Sequence, residues 1–145
     1  MQNSQKKLPA GFRQFADDLL AEVLPVEGFL TPREMRFLML LAACPTAEGE
    51  ILEIGSFKGK STILLARSAK LGDGAMINAV DPMTAPCETD PDLKGDESSL
   101  ADFTRNIAEH GTSDRVVLHQ MLAGQLAATW DKPLRLLWID GDHTY

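Results

Sequence analysis

From residue 50 onward the chain alternates short apolar runs with segments of helical period, and its sharpest junction is the stretch ILEIGSFKGKSTILLA. A β-branched and leucine-rich run, Ile51–Ile54, enters a turn bounded by Gly55 and Gly59, and a helix-patterned segment leaves it. Parallel strands need a long crossover between them, and a helix fills it, so this alternation points to βαβ units. The expected architecture is α/β, a parallel sheet with helices on both faces.

The remaining elements follow from spacing. Phe12, Phe15, Ala16, Leu19, Leu20 and Val23 predict an amphipathic helix over roughly 11–24. Thr31-Pro32, with Glu34 in the first turn, starts a second helix, EMRFLMLLAAC, which is apolar nearly all round and is expected to be largely buried. Strands are expected at 51–54, 76–80, 115–119 and 134–139. Helices are expected from the glycine turn to about Lys70, from Ser98 or Ser99 to His110-Gly111, and over 122–130, with a loop over 83–96. At 145 residues the chain reads as one domain, with N-terminal helices over 1–48 and a βα core over 49–145.

Composition removes several classes of partner. The net charge is -7 and there is no Lys/Arg cluster, which disfavours binding to a nucleic-acid backbone. No apolar run reaches membrane-spanning length, and the start MQNSQKK lacks a signal-peptide core, so neither a membrane nor export is expected and the location expected is cytoplasmic. Cys44 and Cys87 form no CxxC and suggest neither a disulfide framework nor a thiolate zinc site.

The turn itself admits three ligands. A phosphate loop needs four residues between its glycine and the Gly-Lys-Ser, whereas Gly55 and Gly59 enclose only Ser56, Phe57 and Lys58. The dinucleotide pattern fails as well, because Phe57 stands where its second glycine belongs. The spacing that fits is E-x-G-x-x-x-G. Its glycines let the backbone approach a ligand without phosphate, its helix N-terminus can meet a carboxylate, and Glu53 offers an acid to an ammonium. A methionine moiety carries both charges, and S-adenosylmethionine carries the methionine moiety.

These residues bring out a resemblance. ILEIGSFKGKSTILLA, AVDP and LLWIDGDHTY together resemble the class I S-adenosylmethionine-dependent methyltransferases, closest to the small-molecule group whose fourth strand ends in IDGDH. The resemblance covers about 26–145 and implies a Rossmann-like sheet in the order 3-2-1-4. It implies that Gly55, Ser56 and Gly59, with Glu53 and Ser61, line the methionine end of the cofactor. Asp81 would meet the ribose hydroxyls, the alternative being a turn aspartate before Pro82, and Asp140 would face cofactor and acceptor; Met121 is the candidate to pack on the adenine. After the third strand the chain has Met121, Ala123 and Gln125 where the family commonly has a Gly/Ser/Glu-like pattern.

The resemblance implies methyl transfer to a small molecule, at oxygen, with Asp140 at the catalytic centre; beside it His143 reads as the second catalytic candidate. Methyl transfer is an in-line displacement, and His143 has the unperturbed pKa suited to base work near neutrality. In some relatives an acid in this position binds a divalent metal, so Asp140 and Asp142 are candidate ligands for Mg²⁺ or a similar ion; the alternative is one cofactor-facing acid followed by a turn. The rival readings are a cofactor-binding module without activity and a P-loop-like nucleotide hydrolase with Asp140 as its second acid. The family's sheet continues beyond a fourth strand. LRLLWI is apolar on both faces like a central strand, so a truncated chain is expected, with that strand covered by a second copy in a homodimer or left as a sticky edge.

Overall fold

The computed structural model describes residues 7–84 and 98–141. Helix α1 spans Phe12–Val23 and buries Ala16, Leu19 and Val23, the stripe its apolar spacing predicts. Helix α2 spans Pro32–Ala43. The Thr31 hydroxyl accepts from the Glu34 amide at 3.3 Å while the Glu34 carboxylate accepts from the Thr31 amide at 2.8 Å, a reciprocal cap. The Thr31 amide and then the Thr31 hydroxyl, each donating to the Glu34 carboxylate at 2.8 Å, hold that carboxyl below its ordinary pKa.

The expectation that α2 is largely buried needs correction. Met35, Leu38, Met39, Ala42 and Ala43 are buried, but Phe37 is 54% exposed and Leu40 39%. A helix packed on one layer covers one stripe, whatever the opposite side carries.

Four parallel strands, β1 (Glu50–Ile54), β2 (Ile77–Val80), β3 (Val116–His119) and β4 (Leu134–Ile139), form one sheet in the order β3-β2-β1-β4. This is the Rossmann-like arrangement expected from the sequence. Strand β1 lies inside, with Glu53 paired to Ala79 on one side and to Trp138 on the other. Helices α3 (Lys60–Ala69) and α4 (Leu100–Glu109) supply the crossovers on one face, together with α1 and α2. Helix α5 (Ala123–Ala127) lies on the other face, where Leu126 packs on Leu52 and Val80. α5 is shorter than the 122–130 segment expected.

The principal core joins the N-terminal helices to the βα layer: Leu19, Val23, Met35, Met39, Ile63 and Leu64 are each at most 1% exposed. A second cluster sets Leu38, Leu65 and Ala69 against Ile51 and Ile77. Fully burying a side chain of this kind is worth about 2 kcal/mol. These contacts fix the carboxyl ends of β1, β2 and β4 on one rim.

Candidate functional site

That rim is where the sheet order reverses. The crossover after β1 leads to one neighbouring strand, while β4 lies on the other side, and a crevice at such a switch point is the usual ligand site of open α/β sheets. The glycine turn occupies it. Gly55 has φ +86°, and its amide donates to the Val80 carbonyl at 2.9 Å. A Cβ there would lie 2.4 Å from Gly141 Cα, so only glycine lets the end of β4 close on the turn. Gly59 has φ +88°, and a Cβ would meet Phe103 at 3.3 Å. Packing therefore requires glycine at 55, whereas at 59 the left-handed φ favours it and the contact with α4 is tight.

Asp81, at the tip of β2, grips the turn. One carboxylate oxygen accepts from the amides of Ser56 and Phe57, each at 2.9 Å, and the other accepts from the Met83 amide at 2.7 Å. An ionised carboxylate offers about four acceptor positions, so three amides leave capacity for one further donor. Sequence reasoning assigned Asp81 to a ligand and missed this hold on the turn, which links residues 25 apart.

Glu53 lies beneath the turn and is fully buried. It accepts from the Thr62 hydroxyl at 2.5 Å, while its other oxygen has no hydrogen-bond partner among the described residues. Burial pushes its carboxyl up to about 7, against the opposing pull of the Ser61, Thr62 and Ser56 hydroxyls. The charge of Asp140 adds to the rise. Ser56 and Ser61 are buried beside it, and the N-cap residue of α3, Gly59, offers no capping side chain.

The structure thus brings Glu53, Gly55, Ser56, Ser61 and Asp81 together. Asp140 follows β4, its amide donating to the Ile54 carbonyl at 2.8 Å, and its side chain is exposed. Met121 lies on the α5 face, against Leu52, Val80 and Leu126. Asp142 and His143 lie outside the described residues. Among the described residues no three His, Cys, Asp or Glu side chains converge to hold a metal ion. His119 bonds Asn78 at 2.9 Å and His110 bonds the Asn106 carbonyl at 2.8 Å, which gives both a structural place.

A 3-2-1-4 parallel sheet with a glycine turn after its first strand and an acid after its second is the cofactor-binding fold of class I S-adenosylmethionine-dependent methyltransferases. The methyltransferase domain family matches residues 52–145, and the chain belongs to it. Among solved structures it is similar to an O-methyltransferase from Bacillus cereus in complex with SAH, at 26% identity and TM-score 0.60. That match covers 93% of this chain and 62% of the other. It shares the fold of the O-methyltransferase from Streptomyces achromogenes involved in tomaymycin synthesis, in complex with SAM, at 22% identity and TM-score 0.58. There it covers 90% of this chain and 53% of the other. A third neighbour, an SAH-bound methyltransferase from Podospora anserina, has 17% identity, TM-score 0.60 and coverage of 87% and 49%. The chain therefore spans about half to three fifths of these neighbours' lengths.

Proposed function

We propose that the chain binds S-adenosylmethionine at the Gly55–Gly59 turn and serves methyl transfer to an oxygen of a small molecule. The observation that carries this is the turn itself, held open by Asp81 at the sheet's switch point over buried Glu53, Ser56 and Ser61. The family match supports it, as do neighbours described as O-methyltransferases in complex with SAM or SAH.

When bound, the cofactor supplies a methyl group on a positively charged sulfur. The chain's own residues then have to bind, orient and manage one proton. Backbone at Gly55 and Ser56, the uncapped start of α3 and the Ser61 hydroxyl suit the carboxylate and ammonium of the methionine end. The unpartnered oxygen of Glu53 adds a buried acceptor below them. The remaining acceptor position of Asp81 suits a ribose hydroxyl, and Met121 suits the adenine face. Asp140 at the exposed end of β4 orients the acceptor, and His143 takes its proton. A sulfonium needs no metal or acid to leave, so positioning supplies most of the acceleration.

Calorimetry with S-adenosylhomocysteine against ATP–Mg²⁺ tests the reading. Micromolar binding of the sulfur compound and none of the nucleotide is expected, on the scale where about 8 kcal/mol corresponds to 1 μM. Tight ATP binding alone would overturn it. Assembly belongs to the same proposal: the outer edge of β4 has no strand partner among the described residues, and it carries Leu137 and Ile139 at 47% and 54% exposure. A cytoplasmic homodimer paired through that edge is expected, and light scattering reads it directly.

A further inference from the structure

Resting on the reading that the Gly55–Gly59 turn holds the cofactor, we infer that Lys58 is a positioning residue for that turn, acting by clasping it to the α1–α2 connection. Lys58 belongs to the turn, yet its side chain is only 6% exposed. Its Nζ lies 2.7 Å from a carboxylate oxygen of Glu27, in the α1–α2 connection, and 3.2 Å from one of Asp102, on α4. Its carbonyl accepts from the Asn106 side-chain amide at 2.8 Å. One residue therefore ties three separate segments together.

Two residues on, a second lysine repeats the pattern. Lys60 is 7% exposed, and its Nζ donates to the Leu24 carbonyl at 3.1 Å. Its stem runs under Gly28, where a Cβ would stand 3.1 Å from Lys60 Cδ. Between the two lysines and the connection lies an aromatic contact, Phe29 against Phe57 with ring centroids 6.2 Å apart.

Phe57 shows why a clasp is needed. Its φ is +45°, a left-handed conformation that side-chain-bearing residues rarely adopt and that persists only where surroundings enforce it. Asp81 enforces it from the inside through the Phe57 amide. Lys58 and Phe29 enforce it from the outside. The ammonium is buried while Glu27 and Asp102 stay partly exposed, so salt screens these pairs only in part. A turn already set in its binding shape spares a ligand the cost of ordering it, and a turn released from the clasp does not.

The test is a calorimetric titration of the 145-residue chain with S-adenosylhomocysteine, with thermal melting of each variant alongside. Lys58→Met keeps the stem and removes the charge, and the Glu27 and Asp102 side chains, 55% and 32% exposed, can hydrate without it. Affinity is expected to fall roughly tenfold, within the usual range of coupling between sites. Lys58→Arg should recover part of that loss. Glu27→Gln, at a half-exposed position, should weaken binding about threefold without changing the melting temperature. If Lys58→Met does not fold, Glu27→Gln decides alone. Wild-type affinity in the folded variants would overturn the inference while leaving the cofactor site intact, as would a Lys58→Met loss that Arg does not recover and Glu27→Gln does not share. Failure of the unaltered chain to bind S-adenosylhomocysteine would remove the proposed function, and the clasp with it.

Discussion

Strands β1 and β4 are neighbours in one sheet, each carrying apolar residues on both faces, and the fold treats them oppositely. In β1, Ile51, Leu52 and Glu53 are buried, and the turn that follows is held by Asp81, by Gly141 and by the first turn of α3. In β4, Leu136 and Trp138 pack inward while Leu137 and Ile139 stand about half exposed. An apolar pattern on both faces states what a strand can bury. Its neighbours decide what it does bury. The junction after β1 has no slack, whereas the outer side of β4 has much.

The largest break in this contrast should come at Gly55. Gly55→Val puts a branched side chain where Gly141 already stands 2.4 Å from an ideal Cβ, at a left-handed φ. The loss expected is about 4 kcal/mol or more, enough to unfold a marginal domain in urea titration. The cause would be collision with the end of β4, a reason distinct from the ligand contact that the turn's spacing suggests.

Next in size is a pair of truncations. Ile51→Ala in the buried strand should cost about 3 kcal/mol, whereas Leu137→Ala in β4 should cost under about 1 kcal/mol. Equal losses in chemical denaturation would erase the comparison.

Acidity sharpens it further. Glu53 takes up its proton near 7 when folded, against 4.5 ordinarily, so folding favours the protonated form. Its contribution is whole below about pH 4.5, declines as pH rises toward 7, and is lost above that, a change of about 3 kcal/mol. Glu53→Gln should therefore be more stable than the unaltered chain at pH 8 and show a flatter profile between pH 5 and 8 in urea titrations. No comparable pH dependence should arise from β4. The smallest effect expected is from Leu137→Lys, which should change unfolding free energy by less than about 1 kcal/mol while lowering self-association by light scattering.

How much of this was legible depended on distance along the chain. β1, the glycine turn and α3 follow one another, so the change from strand to helix period exposed all three, and Thr31 with Glu34 marked the start of α2 in the same local way. The β3-β2-β1-β4 order came through the resemblance. What stayed hidden was long-range: Asp81 holding Ser56 and Phe57, Lys58 reaching Glu27, and Gly59 packing on Phe103 each join segments that no local pattern connects. The exposed face of α2 stayed hidden for another reason. Phe37 and Leu40 look like core residues until the layer they would pack against proves to be on the other side.

The placement of β1 between β2 and β4 also sets an order of events at the ribosome. β2 follows β1 soon after in the chain and can pair with it early, whereas the side facing β4 waits for the last described strand. Lys132 and Glu50, which meet at that junction, are 82 residues apart. Until those later residues emerge, β1 therefore keeps one edge open, and pairings this distant in sequence form slowly. That interval is when a nascent chain of this topology is most exposed to pairing with the wrong partner, and when a chaperone would have the most to protect.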